Sequence, residues 1–187
     1  MLTMPPRPNR PVYLDNQATT PLDPRVWQAM VPFFTEHFGN ASSIHAFGSE
    51  VGKALKKARS QIQALLGAEH DSEIIFTSCG TESDSTAILS ALKAQPERNT
   101  VITTNVEHPA ILTLCEWLEK EGYIVHKLKV DKKGRIDMDE YKSLLHERVA
   151  IVSVMWANNE TGTIFPVEEM AELASAKGIM FHTDAVQ

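Results

Sequence analysis

The chain has 187 residues, 43% of them hydrophobic, with 24 acidic against 18 basic side chains and a formal net charge of −6. That length and apolar fraction suit one domain with a sizeable core, and the negative balance, with Lys and Arg scattered among acids, argues against a nucleic-acid-binding face. Apolar runs such as Val149 to Met155 fall far short of the roughly 20 residues a membrane-spanning helix needs, and two cysteines without a CxxC pair and seven histidines without a ligand-spaced pair argue against a disulfide framework and a metal site.

Residues 1–12 read as a disordered lead-in with no apolar stretch of secretory type, which places the protein in the cytoplasm as an expectation. Residues 13–72 follow as an N-terminal arm with helices: an extended arm over Tyr13 to Pro21, a helix start at Asp23-Pro24, a Gly39 to Ser43 loop, and a charged helix from about Ser49 to Leu66. From residue 73 to 187 strand and helix patterns alternate, which predicts an α/β domain with a mainly parallel sheet. Strands are expected at Glu73 to Thr77, Thr100 to Thr104, Tyr123 to Leu128, Val149 to Met155 and Ile179 to Asp184. Helices are expected up to Lys93, from Pro109 to Glu121, from Met138 to His146 and from Pro166. Pro109 and Pro166 suit first helical turns, where a missing N–H costs nothing, and Gly122 and Gly178 suit helix C-termini.

Four stretches sit where strands give way to loops or helices, the edge at which open α/β sheets gather ligand chemistry. In Thr77-Ser78-Cys79-Gly80-Thr81-Glu82 a small-residue turn opens a helix, so main-chain N–H groups and a hydroxyl converge at its positive end, as a phosphate cradle does. The stretch lacks a P-loop lysine and the GxGxxG spacing, and its other reading is a helix cap with Ser78 or Thr81 as N-cap. His108 either covers a flat cofactor ring or caps its own helix. Asp184, at a strand end, either holds a pyridinium N–H through a charge-assisted bond or serves a turn. Asn158 and Asn159 either donate to a ligand oxygen or form Asx turns. Cys115 falls on the apolar face of its helix and is expected to be buried, while Cys79 lies near a helix N-terminus, where a thiol pKa falls.

With these stretches in order, together with Tyr13 to Pro21, Phe38 to His45, Glu107-His108, Met155 to Gly162 and His182 to Gln187, the chain resembles the cysteine desulfurases of the class V aminotransferase superfamily, nearest to the nitrogen-fixation (NifS-like) branch. The resemblance runs from Tyr13 to Gln187 and implies a fold type I enzyme dependent on pyridoxal 5'-phosphate. Such enzymes are usually homodimers that convert L-cysteine to L-alanine and pass persulfide sulfur to an iron–sulfur scaffold or another sulfur acceptor. By position, the resemblance implies that Gly80 and Thr81 bind the phosphate and that His108 stacks on the ring and moves protons. It further implies that Asp184 pairs with the ring nitrogen and that Asn159 and Gln187 lie near the phenolic oxygen or the substrate. Position 41 is Ala where the family usually has Pro, which is expected only to loosen a turn. The family's Schiff-base lysine and sulfur-accepting cysteine fall in a later part of its members, as does the small domain, so the 187 residues are expected to be an N-terminal part that is inactive alone. Two alternatives accompany this reading: a related lyase acting on selenocysteine or cysteine sulfinate, and a non-catalytic truncated paralogue that binds a full-length partner.

Overall fold

The structure, a computed structural model, describes residues 11–187; the lead-in expected over residues 1–12 lies outside the described residues except for Pro11 and Val12. The chain divides into two compact units, Met1–Phe76 and Thr77–Gln187.

In the first unit, helix α1 (Pro24–Thr35) starts as the Asp-Pro pair dictates. Asp23 is the N-cap, its carboxylate accepts the Arg25 N–H at 2.7 Å, and Pro24 takes the first helical position. Helix α2 (Ala46–Leu66) begins three residues earlier than the sequence pattern suggests, because His45 caps it, its Nδ1 accepting from the Gly48 N–H at 3.4 Å. Gly48 makes this early start possible. A Cβ there would stand 2.4 Å from the carbonyl oxygens of both Asn40 and Ser43, so loop and helix approach backbone to backbone. The turn at Ala41 is closed without a proline, by Asn40 Oδ1 accepting from the Ser42 N–H at 2.9 Å and the Asn40 carbonyl accepting from the Ser43 N–H at 2.9 Å. Gly67, at φ 70°, ends α2 in the left-handed conformation.

Gly48→Ala is expected to loosen this loop by about 1–2 kcal/mol, the usual scale of overpacking where a loop can give way. Amide exchange at Ser43 should then quicken about five- to thirtyfold, whereas unchanged protection would mean the close approach is not needed.

The expected strand over Glu73 to Thr77 does not form. Residues Asp71–Glu73 make a single 3-10 turn, and the segment after it joins none of the sheet's ladders, leaving Ile75 and Phe76 exposed. The apolar pattern there is that of a strand, but an extended segment without a neighbouring strand has no inter-strand hydrogen bonds to stabilise it. Instead the Ile74 carbonyl accepts from the Arg59 guanidinium, which also lies 4.9 Å from the centroid of the Phe76 ring.

The second unit is an α/β layer structure whose elements follow the predicted order. After α3 (Gly80–Ala94) come β1 (Thr100–Thr104), α4 (Pro109–Lys120), β2 (Ile124–Leu128), α5 (Met138–Leu144), β3 (Val149–Ser153), α6 (Val167–Ser175) and β4 (Met180–His182). The four strands form one parallel sheet in the order β2-β1-β3-β4. β1 and β3 are buried at every position, as the largely apolar and β-branched central strands of a doubly covered parallel sheet should be. Val101, Ala150 and Ile151 pack with Ile88, Ile111, Cys115 and Leu118 from α3 and α4, whereas Ile102 and Val152 pack with Tyr141, Met170 and Ala174 from α5 and α6. Cys115 is buried as expected, and burial pushes its thiol up to about 11. The fully buried Tyr141 hydroxyl donates to the Met170 carbonyl at 2.7 Å and ties α5 to α6.

Several ends shift by one to three residues. β3 stops at Ser153 and β4 at His182, and Pro166 is the N-cap of α6 rather than its first residue. Gly122 and Gly178, at φ 92° and 63°, take the left-handed positions that follow α4 and α6. No helix of the described residues is long and apolar enough to cross a membrane.

Candidate active site

The strand order sets where a ligand site can form. The chain leaves central β1 for β2 through α4, then returns to β3 on the other side of β1, so the loops after β1 and β3 run apart at the carboxyl edge of the sheet and open a crevice. The loop after β1 carries Glu107 and His108, the loop after β3 carries Asn158 and Asn159, and Asp184 follows β4 by two residues.

Glu107 fastens the two sides of this crevice. It is 4% exposed; its Oε1 accepts from the Thr104 hydroxyl at 2.7 Å, and its two oxygens lie 3.2 and 3.1 Å from the Met155 N–H beyond β3. Burial raises its carboxyl to about 7 against these bonds, with the charges of Asp184 and Asp84 adding to the rise. Beside it, exposed His108 is the N-cap of α4. Its Nδ1 accepts from the Ala110 N–H at 3.2 Å, which puts the ring proton on Nε2 and leaves that nitrogen open. Capping, one of the two sequence readings of His108, is therefore real and leaves the rest of the ring available.

The paired asparagines divide their roles. Buried Asn158 is scaffold: its Oδ1 accepts from the N–H groups of Glu160 and Thr161 and from the Thr161 hydroxyl, while its Nδ2 donates to the Val106 carbonyl at 3.0 Å. Asn159 is half-buried, and its amide donates to Glu160 at 3.1 Å.

At α3 the cap is Cys79, not Ser78 or Thr81. The thiol makes no cap bond of ordinary geometry, but the Glu82 N–H faces it and holds its pKa below the usual value, with the Ser78 hydroxyl also contributing. The Glu82 carboxylate turns back to accept the Ser78 N–H at 2.7 Å and the Ser78 hydroxyl at 2.6 Å, as in a capping box. Ser78 is thereby engaged; the Gly80 N–H and the Thr81 hydroxyl remain open at this helix end, while the Thr81 N–H also faces the Cys79 thiol. A Cβ on Gly80 would meet Val186 Cγ2 at 3.4 Å, so the helix start and the segment after Asp184 are neighbours. Asp184 is half-buried; its Oδ1 accepts from the Val186 N–H at 3.0 Å. Gln187 is exposed and makes no polar contact with the other candidate residues among the described residues. The structure thus draws Gly80, Thr81, His108 and Asp184 to one edge and leaves Asn159 and Gln187 without direct contact to them.

Three further polar groups lie beneath this edge. Asp84, on the inward stripe of α3 with Ile88, Ala91 and Leu92, is 5% exposed, and its Oδ1 stands 3.6 Å from Nε2 of His182. The other ring nitrogen of His182 bonds fully buried Ser153 Oγ at 2.9 Å. Burial and then the charge of Asp184 raise the Asp84 carboxyl to about 6, with His108 opposing, while burial lowers the His182 pKa against the pull of Asp184. This is not a hydrolytic Ser-His-Asp array, because Ser153 has no access to a substrate. The sequence offered a signal for both missed groups: Asp84 is an acid on an otherwise apolar helix stripe, and His182 shares a strand face with Asp184 two residues on.

The donor set suits a flat, anionic, nitrogen-containing ring, with a carboxylate for a ring N–H, helix-end N–H groups for a phosphate and an imidazole alongside. The chain is 74% identical over 176 residues to the cysteine desulfurase NifS of Azotobacter vinelandii and 68% identical over 176 residues to a cysteine desulfurase of Azotobacter chroococcum, in each case over 94% of this chain and 44% of the relative. It therefore spans less than half the length of these curated relatives. Among solved structures, a NifS-like protein superposes with a TM-score of 0.90 at 39% identity, over 94% of this chain and 49% of that one. A structure described as SspA in complex with cysteine gives 0.88 at 34% identity, over 94% and 50%. The aminotransferase class-V family model matches residues 12–187, nearly everything whose sheet, crevice and carboxylate edge are described above, and the chain belongs to that family.

Proposed function

We propose that this chain supplies the cofactor-holding part of a pyridoxal 5'-phosphate-dependent cysteine desulfurase, which takes L-cysteine to L-alanine and hands persulfide sulfur to an iron–sulfur scaffold or another acceptor protein, and which works as a cytoplasmic homodimer. The observation that carries the reading is the gathering of Asp184, His108 and the amino end of α3 at the carboxyl edge of one parallel sheet. In this reading the Gly80 and Thr81 N–H groups, with the Thr81 hydroxyl, bind the phosphate at the positive helix end. Asp184 holds the proton on the ring nitrogen through a charge-assisted bond. His108 lies along the ring with Nε2 free to carry a proton, and Asn159 and Gln187 serve the phenolic oxygen or the substrate. Once bound, the cofactor supplies an electron sink that lets the substrate α-carbon give up its proton.

The test is direct. The protein is incubated with pyridoxal 5'-phosphate, and binding is followed by the cofactor's absorbance and by quenching of protein fluorescence. L-cysteine, selenocysteine and cysteine sulfinate are then compared for alanine release by the protein together with any partner that co-purifies. Saturable cofactor binding by the chain is the expected result, with alanine and persulfide from L-cysteine only where a co-purifying partner supplies the rest of the enzyme. Protection by ATP in place of the cofactor would overturn the reading.

A further inference from the structure

Asp84 has no part in the roles assigned above, yet it is an almost fully buried carboxylate aimed at the same edge. The groups facing it can be named from each element: His182 on β4, Asp184 just beyond that strand, and His108 and Glu107 from the loop after β1. His182 and Asp184 lie two residues apart on an extended segment, so both side chains leave the same face of the sheet, the face that α3 covers. Ser153, opposite His182 in the β3–β4 ladder, fixes the imidazole from its other nitrogen. With the Ser153 hydroxyl donating to Nδ1, the ring presents its Nε2–H toward Asp84.

We propose that Asp84, braced by His182 and Ser153, is a positioning residue whose protonation is linked to the pairing of Asp184 with a cationic ring nitrogen, so that the cofactor is held more tightly when Asp84 is ionised. The inference rests on the cofactor reading given above. Two carboxylates whose charges act on each other, one of them almost fully buried, resist ionising together. A cation paired with Asp184 relieves that resistance, so binding promotes loss of the Asp84 proton, and by linkage the ionised protein binds the cation better. The raised carboxyl of Asp84 has the sign this requires, since Asp184 is among its causes.

Two measurements on the 187-residue protein test the idea. Carboxyl carbon NMR follows the titration of Asp84 in the wild type and in Asp184→Asn; the midpoint is expected to fall in the variant, and an unchanged midpoint would overturn the coupling without any cofactor present. Dissociation constants for pyridoxal 5'-phosphate are then measured from pH 5.5 to 7.5 for the wild type and Asp84→Asn. The cofactor's own titration is common to both proteins, so the difference belongs to Asp84, and with its carboxyl at about 6 the wild type should gain about three- to fourfold more affinity across this range than the variant. Parallel curves would refute the link to binding. Failure of the wild type to bind at any pH, with the Asp84 midpoint still moving, would refute both the cofactor reading and the linkage while leaving the coupling of the two carboxylates established.

Discussion

Asp184→Ala is expected to weaken pyridoxal 5'-phosphate binding by about a hundredfold while leaving the sheet intact. The side chain makes a single described bond, Oδ1 accepting from the Val186 N–H at 3.0 Å, and its other oxygen makes none. A hydrogen bond to a charged partner contributes about 1.5–3 kcal/mol, and 1.4 kcal/mol is a factor of ten in affinity. Asp184 lies past the last ladder pair, Ser153 with His182, so removing its carboxylate disturbs no strand pairing. The dissociation constant from fluorescence quenching measures the effect, and an unchanged circular dichroism spectrum keeps it from being ascribed to unfolding. Asp184→Asn separates charge from shape: it retains an oxygen for the Val186 N–H, yet the affinity should still fall by tenfold or more. Near wild-type affinity in both variants would mean that the ring nitrogen, or the cofactor itself, is bound elsewhere.

What the sequence revealed of this site, and what it hid, follows from the range of the interactions involved. Alternating strand and helix patterns, Pro109 at a first helical turn and glycines at 122 and 178 are local signals, and each produced its element within one to three residues. The doubly covered sheet follows from central strands dominated by apolar and β-branched residues, Thr100 to Thr104 and Val149 to Val152. The segment at residues 74–77 misled because strand formation depends on a neighbour, which no local pattern supplies. The cap of α3 was assigned to Ser78 or Thr81 by residue type, but Glu82 folds back onto Ser78 and moves the cap to Cys79. Asn158 and Asn159 look equivalent in sequence. Only the fold shows that Asn158 is spent on holding its own loop. The contacts of Glu107 with Met155 and of Asp84 with His182 join residues 48 and 98 positions apart, and such pairs have no signature in one sequence.

Glu107 is expected to make the stability of this protein fall as the pH rises from about 5 to 7.5. An unfolded glutamate loses its proton near pH 4.3, whereas in the folded protein burial holds the Glu107 proton to about 7. Between those values the folded chain binds more protons than the unfolded one, so the unfolding free energy declines with pH. The contribution is complete below about pH 4, is lost as the pH passes through 7, and is flat above that. Asp84, raised to about 6, adds a slope of the same sign over a narrower window. A displacement of this size corresponds to a loss on the order of 3 kcal/mol across the range. Urea unfolding at several pH values measures it, and Glu107→Gln should remove most of the slope. The glutamine carbonyl still accepts from Thr104 and Met155 and carries no charge to desolvate. A wild-type stability that rises over this interval would show Glu107 already ionised in the folded state. If the slope is present, the loop bearing His108 is held to the end of β3 by a neutral acid at low pH and by a carboxylate at high pH. The crevice beside His108 then stays tied in both states, and the stability lost above neutrality is the cost of burying the charge.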